Sequence, residues 1–398
     1  MTTISNHAKK VAPPDAVDFL GIDALLSDEE RLIRDTVRSF VRDRVLPNIG
    51  EWFEEGYLPR ELGRELGRLG LLGMHLQGYD CPGASAVAYG IACMELEAGD
   101  AGVRSFASVQ GSLAMYAIYR WGSEEQKHQF LPPMARGELI GCFGLTEPDF
   151  GSNPAGMRTF ARRDGDDWIL NGTKLWITNG SIADVAVVWA NTDDGIRGFL
   201  VPKDAKGFTT SDIHRKISLR ASITSELVLQ DVRLPSSAQL PLAKGLSGPL
   251  SSLNEARFGI IWGSMGAART CYETALDYAK TRVQFDRPIG GFQITQEKLA
   301  NMLLELGKGT LLALHLGRKK DDGTLHPSQV SFGKLNNVRE ALAICREART
   351  ILGANGVTLE YPVIRHMNNL ESVLTYEGTS EVHTLVIGQQ ITGIAAFT

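Results

Sequence analysis

The feature that most constrains this chain is its hydrophobic period, which changes twice along 398 residues. Up to about residue 140, apolar side chains recur at helical spacing. Leu32, Ile33, Val37, Phe40, Val41 and Val45 form one stripe, opened by the capping box Ser27-Asp-Glu-Glu30 and closed by Pro47. Leu62, Leu66, Leu69 and Leu72, then Val87–Leu96, then Ser105–Trp121 continue the pattern. From about 141 to 240 the runs shorten and read as strands: Val185–Ala190, Gly198–Pro202 and Glu226–Pro235. Within Trp168–Thr178, Asn171-Gly172 predicts the tight turn of a hairpin, because these residues tolerate the positive φ angles of a type I′ turn. Long helical segments return over roughly 249–285, 292–320, 327–352 and 379–396, with His326-Pro327-Ser328 as a start and Gly353 and Gly356 as stops. The expected fold is α+β in three parts: an N-terminal α-helical domain (1–140), a middle antiparallel β-sheet or barrel domain (141–240) and a C-terminal four-helix bundle (241–398).

Composition and missing motifs narrow the function. A net charge of -5 argues against non-specific nucleic-acid binding. No uninterrupted apolar run is long enough for a membrane span, which needs about 18 residues. The opening residues Met1–Phe19 have neither an apolar secretory core nor the arginines of a mitochondrial leader. Five scattered cysteines without a Cys-x-x-Cys pair suggest reduced thiols in a cytoplasmic protein and no metal site. Walker A, His-Glu-x-x-His and Gly-x-Ser-x-Gly sequences are absent, and no Gly-x-Gly-x-x-Gly follows a strand. Gly63, Gly67, Gly70 and Gly73 lie in a leucine-rich helical run, where close packing is the expected role.

Three clusters carry chemistry. Gly141–Asn153 combines turn formers and hydroxyls on an apolar base, as a ligand-cradling loop does. Trp176-Ile-Thr178 ends a strand, and Tyr376-Glu-Gly-Thr379 sets a carboxylate beside a glycine after a helix. Each also has a plain structural explanation: an inter-domain connection, a core tryptophan, a solvated carboxylate.

Together these clusters resemble the acyl-CoA dehydrogenase family over nearly the whole chain from about residue 20. The family's motifs occur in its order: Gly144-Leu-Thr-Glu-Pro, Asn171-Gly-x-Lys-x-Trp-Ile-Thr178, Arg282-x-Gln-Phe285, Leu352-Gly-x-Asn-Gly356 and Tyr376-Glu-Gly-Thr379. The runs Arg104-Ser-x-x-Ser-Val-Gln110, Gly141–Pro148, Arg197–Leu200, Ser218–Ser222, Arg365–Glu371 and Ile391–Ile394 resemble the branch that oxidises glutaryl-CoA.

The resemblance implies an FAD enzyme that takes an α proton from an acyl-CoA thioester while the β hydrogen leaves with its electron pair. Glu377 matches the base, and Gly378, beside Tyr376, matches the donor to the thioester oxygen. Flavin contacts are implied for Phe143, Leu145, Thr146, Gly151, Ser152, Trp176, Ile177 and Thr178. Arg282, Phe285, Gln293, Leu352, Gly353 and Ala354 match contacts to the cofactor's diphosphate end in a neighbouring subunit, and Thr379 and Glu381 match adenosine contacts. Ala354 stands where the family often has Gly. CoA contacts are implied for Ser152, Asn254 and Arg257. Arg104, with Ser105, Ser108 and the ordering carboxylate Glu97, matches the group that reads the distal carboxylate of glutaryl-CoA. Taken alone, Arg104 reads as an ion pair with Glu97 or Asp100. The resemblance further implies decarboxylation to crotonyl-CoA, electron-transfer flavoprotein as acceptor, and a homotetramer. A short-chain dehydrogenase of uncharged substrates, a glutaryl-CoA dehydrogenase that stops before decarboxylation, an oxidase, and a catalytically silent acyl-CoA-binding protein are the alternatives.

Overall fold

The protein is seen in a computed structural model that describes residues 12–396, so most of the stretch read for leader content lies outside the described residues. Helices α1 (Asp28–Phe40), α2 (Ile49–Glu55) and α3 (Leu62–Arg68) lead to a two-stranded ladder of β1 (Gln77–Gly78) and β2 (Cys81–Pro82), and then to α4 (Ala86–Gly99), α5 (Ala101–Ser108), α6 (Tyr116–Trp121) and α7 (Glu124–Ala135). The capping box of α1 forms in both directions: Ser27 Oγ accepts from the Glu30 N–H at 3.2 Å, and the Glu30 carboxylate accepts from the Ser27 N–H at 2.8 Å. A π-helical stretch, Val109–Met115, joins α5 to α6, so the helix read from Ser105 to Trp121 is continuous but widened in its middle. Gly63 and Gly67 pack closely against Phe106, Ile140 and the Arg136 backbone. Gly70 and Gly73 instead form turns, at φ 69 and 65.

The middle part holds β3 (Gly141–Gly144), β4 (Phe160–Asp164), β5 (Asp167–Thr178), β6 (Val185–Ala190), β7 (Arg197–Pro202), β8 (Phe208–Asp212) and β9 (Thr224–Pro235). They form two sheets, ordered β3-β6-β7 and β4-β5-β9-β8. One pairing departs from the antiparallel expectation: β3 runs parallel to β6. Parallel neighbours need a crossover, and the excursion through β4 and β5 in the other sheet supplies it.

The hairpin expected at Asn171-Gly172 is absent. β5 crosses this point as one strand, paired with β9 on both sides of a register shift between Leu170 and Gly172. Gly172, at φ 149, is needed because a Cβ there would lie 2.3 Å from Thr159 Oγ1. Asn171 bonds across the bulge, its Oδ1 accepting from the Asp231 N–H at 2.9 Å. A long ladder outweighs a local turn preference. The true β4–β5 turn contains Gly165 at φ 64.

The last part comprises α8 (Ser247–Thr281), a short ladder of β10 (Val283–Gln284) and β11 (Arg287–Pro288), α9 (Gln293–Asp321), α10 (Pro327–Leu352), α11 (Val363–Thr375) and α12 (Ser380–Thr392). Four helices were expected; α11 is an additional one. Its sequence hides it, because its buried residues include Arg365, His366 and Asn369. Arg365 and Asn369 bond Asp100, at 2.5 and 2.8 Å, where α4 meets α5. The β sheets have their own core around Leu170, Phe199 and Leu227. A larger core runs from the N-terminal helices through Val187 and Trp189 to Trp262 of α8. The α4–α8 crossing is close enough that a Cβ at Gly266 would meet Met94 O at 1.9 Å. All five cysteines are free, and among the described residues no helix is long and apolar enough to cross a membrane.

Candidate active site

Tyr376, Glu377 and Gly378 link α11 to α12, which Thr379 caps by accepting from the Val382 N–H at 3.3 Å. Glu377 sits at φ 53 and Gly378 at φ 101. For glutamate such a left-handed backbone costs roughly 1–3 kcal/mol and persists only if its surroundings hold it. Here the carbonyls do so. Lys334 Nζ, from α10, donates to Tyr376 O and Gly378 O, each at 2.6 Å. Arg257 Nε, from α8, donates to Glu377 O at 2.7 Å. In a trans peptide the C=O and the next N–H point in opposite directions. Fixing the Glu377 carbonyl on Arg257 therefore aims the Gly378 N–H away from it.

The Glu377 carboxyl is held differently. Its Oε2 is buried and has no hydrogen-bond partner among the described residues. Burial raises its pKa above the ordinary value, although Arg104, Lys334 and Arg257 pull the other way. A desolvated carboxylate with free lone pairs is suited to take a proton.

Arg104, on α5, is 1% exposed. Its Nε donates to Glu97 Oε2 at 2.6 Å and its Nη2 to the Tyr376 hydroxyl. Its Nη1 has no acceptor among the described residues. Gly263 of α8 leaves room for the pair: a Cβ there would stand 2.1 Å from Glu97 Oε2. Burial works against charge on both members. On Arg104 the Glu97 and Tyr376 oxygens outweigh it and raise the pKa, whereas on Glu97 burial outweighs Arg104 and raises the carboxyl. Ser105 Oγ lies 3.5 Å from the Tyr376 hydroxyl, and Ser108 Oγ is buried without a partner. Asp100, the other carboxylate considered for Arg104, pairs with Arg365 instead.

On the sheet side, Phe143 and Leu145 are buried and Thr146 half-buried, while Gly151 and Ser152 lie exposed in the loop beyond. Trp176 has φ 64 and is 57% exposed, beside Ile177 at 3%. Thr178 pairs with Thr224. A buried ion pair ties the loop to β5: Lys174 Nζ lies 2.8 Å from Glu147 Oε1 and donates to Leu145 O at 3.1 Å. The Ser218–Ser222 run docks the sheets on α11: Ser372 Oγ donates to Ser218 Oγ at 2.5 Å, and the Leu219 N–H to Asn369 Oδ1 at 2.7 Å.

Comparison with known proteins bears on this geometry. The chain matches the acyl-CoA dehydrogenase N-terminal domain over residues 27–138, the middle domain over 142–232 and the C-terminal domain over 243–392. The chain belongs to the acyl-CoA dehydrogenase family. The human mitochondrial short-chain specific acyl-CoA dehydrogenase is 35% identical over 369 residues, 91% of this chain and 90% of that protein. A crystal structure of glutaryl-CoA dehydrogenase from Mycobacterium smegmatis is 70% identical, with a TM-score of 0.96 over 97% of this chain and 100% of that one. A glutaryl-CoA dehydrogenase from Mycobacterium smegmatis in complex with FADH2 is 67% identical, with the same TM-score of 0.96 and the same coverage, 97% and 100%.

Besides the sheet-side residues, this acyl-CoA dehydrogenase separates its sequence-predicted residues into two groups. Glu97, Arg104, Ser105, Tyr376, Glu377, Gly378 and Arg257 meet around the base. Asn254 joins them by accepting from Arg257 Nη1 at 3.1 Å. Arg257, expected at CoA, is turned to the turn that carries the base. Arg282, Phe285 and Gln293 are exposed at the far end of α8, about 36 Å along the helix from Arg257 at 1.5 Å per residue. Phe285 there lines a cavity of about 350 Å³ with Thr350 and Ile351, just before Leu352. Leu352 is buried, Gly353 turns at φ 60, Ala354 is exposed, and Glu381 is exposed on the first turn of α12. Sequence reasoning missed Lys334, the Lys174–Glu147 pair and His383, which lies against Gly378 and is pushed down to about 3 by burial.

Proposed function

We propose that the chain oxidises glutaryl-CoA at its α and β carbons with FAD as cofactor. The observation that carries this reading is the Arg104 guanidinium, buried yet with Nη1 free, and bonded to the residue beside the base. A pocket for an uncharged chain gains nothing from a buried cation, whose desolvation costs several kcal/mol. The free N–H group suits a distal carboxylate. The 70% identity to a protein named glutaryl-CoA dehydrogenase supports the same substrate.

The residues present fit a flat, ring-bearing cofactor. Trp176 offers an exposed ring beside Ile177, and Phe143, Leu145, Thr146 and Thr178 give an apolar floor edged with hydroxyls. Gly151 and Ser152 would cover its phosphates. The distance from Arg257 to Arg282 supports a diphosphate end held by a second copy through Arg282, Phe285, Gln293 and Leu352–Ala354, and hence a homo-oligomer, which we read as a tetramer.

When bound, FAD accepts the β hydrogen with its electron pair. Glu377 takes the α proton, and the Gly378 N–H bonds the thioester oxygen as negative charge develops there. Arg104 anchors the other end, so that the α carbon stays against Glu377. The resulting glutaconyl-CoA carries its carboxylate next to a conjugated system. Breaking the bond to that carboxylate releases CO2 and leaves a dienolate, which Glu377 protonates to give crotonyl-CoA. Electron-transfer flavoprotein is the acceptor implied by the family.

Anaerobic mixing of the flavin-loaded protein with glutaryl-CoA, followed by flavin absorbance and product mass, tests this. Glu377→Gln should retain binding and slow bleaching about 10⁴-fold. Arg104→Ala, made together with Glu97→Gln to keep the buried charge balanced, should lower kcat/KM for glutaryl-CoA on the order of 10³-fold relative to Glu97→Gln alone. Its butyryl-CoA turnover should change less than about tenfold. Equal losses would favour an enzyme of uncharged short chains, and a five-carbon product would mean oxidation without decarboxylation.

A further inference from the structure

Lys334 belongs to a buried stripe of α10 with Val330, Asn337, Val338 and Ala341. It is 1% exposed and has no carboxylate within ion-pair distance among the described residues. An ammonium group in such a place is disfavoured unless it is well bonded. Its bonds go to Tyr376 O and Gly378 O, the two carbonyls that bracket Glu377, both at 2.6 Å. Purely structural clamping needs only donors, and a neutral amide supplies those. What an amide lacks is the charge, and that charge acts on a carboxyl whose Oε2 has no hydrogen-bond partner among the described residues. Direct hydrogen bonds to Glu377 would also stabilise its anion, but they would occupy the lone pairs needed for the α proton. A nearby cation bonded to the backbone favours the anion and leaves those lone pairs open.

We propose that Lys334 is a positioning residue for proton abstraction: it fixes the left-handed turn that aims Glu377 and the Gly378 N–H, and its charge favours the ionised base through space. The proposal rests on the reading of Glu377 as the base. The groups facing Glu377 are Arg104 from α5, Arg257 from α8, Lys334 from α10, His383 from α12 and its neighbour Tyr376. Burial pushes Lys334 itself down to about 7 and holds His383 uncharged. The rising limb of the pH–rate profile reports Glu377 ionisation under the influence of Arg104, Arg257 and Lys334.

The test compares the flavin-loaded wild type with Lys334→Met and Lys334→Gln. In Lys334→Met the rate of flavin reduction by glutaryl-CoA should fall about 10²-fold, with KM within about threefold. The rising limb should move up by about one pH unit. Hydrogen exchange of the peptide spanning residues 376–379, measured without substrate, should become faster. Lys334→Gln keeps a donor and removes the charge, so its limb should move by the same amount with a smaller gain in exchange. If Lys334→Met does not fold, Lys334→Gln decides by its limb. A rate within threefold of wild type and an unmoved limb in either folded variant would overturn the proposal. Glu377→Gln separates the two levels: if it reduces flavin normally, the base assignment falls and the proposal with it; if it is inert while the Lys334 variants behave as wild type, the proposal falls alone.

Discussion

Among the described residues two lysines are fully buried, Lys174 at 0% and Lys334 at 1% exposure, and each holds a loop of the site. Burial pulls both ammonium groups down, to about 8 and about 7. Their partners differ. Lys174 sits on the Glu147 carboxylate, which also accepts from the Thr159 and Arg158 N–H groups at 2.9 and 2.6 Å. Burial works against the Glu147 anion, but Lys174 and these donors outweigh it and hold its pKa below the ordinary value. Lys334 sits on carbonyls, and the carboxyl it faces is raised. A charge neutralised where it stands does mechanical work, because its field ends at its partner. A charge held by dipoles keeps its field, and the residue that field reaches is Glu377.

The most direct way to break this contrast is to remove the paired lysine. Lys174→Met leaves Glu147 buried without its counter-charge, which should cost about 3–5 kcal/mol of stability. Thermal unfolding should show a lowered midpoint and the purified protein a reduced flavin content. Adding Glu147→Gln should recover most of that loss, since the double change removes both charges. For the flavin that remains bound, the pH–rate limb should stay in place, unlike that of the Lys334 variants. A limb displaced in Lys174→Met would show that both lysines act through space, and the distinction would collapse.

The contrast also marks what could be read from sequence. The two changes of hydrophobic period gave the order of helical and β parts, because burial of one face dictates spacing. Glu377 and Arg104 came from residue types in family order. Lys334 did not, although one signal was there: it falls on the apolar stripe of α10 four residues from Val330 and four from Val338, where a lysine is out of place. Lys174 is in step with the inward-facing Trp168 and Leu170 of β5, but its partner Glu147 lies 27 residues away and leaves no local signal that a lysine belongs inside. Helix α11 escaped because Arg365, His366 and Asn369 interrupt its apolar face of Val363, Leu370 and Val373, and Arg365 and Asn369 find their partner in the distant Asp100. Polar residues that find partners across the fold carry no local pattern, and the site is built largely from such residues.

The smallest effect expected is one of slope. Glu147 has a lowered pKa and Glu377 a raised one, against the same ordinary value of 4.5. The stabilisation from Glu147 is complete above 4.5 and is lost as pH falls through its lower folded value. For Glu377 the sign reverses. The folded state holds the proton more tightly than the unfolded chain, so wild-type stability declines as pH rises from 4.5 to the raised value and then levels off. A tenfold difference in proton affinity between the folded and unfolded states corresponds to about 1.4 kcal/mol. Unfolding midpoints of the cofactor-free protein, compared with Glu147→Gln and with Glu377→Gln across acidic to neutral pH, should therefore diverge in opposite senses. The wild type should lose ground to Glu147→Gln on acidification and gain on Glu377→Gln. Parallel slopes would mean that the field of Lys334 and its neighbours already offsets the burial of Glu377 in full, leaving the base no harder to ionise than a carboxylate in water.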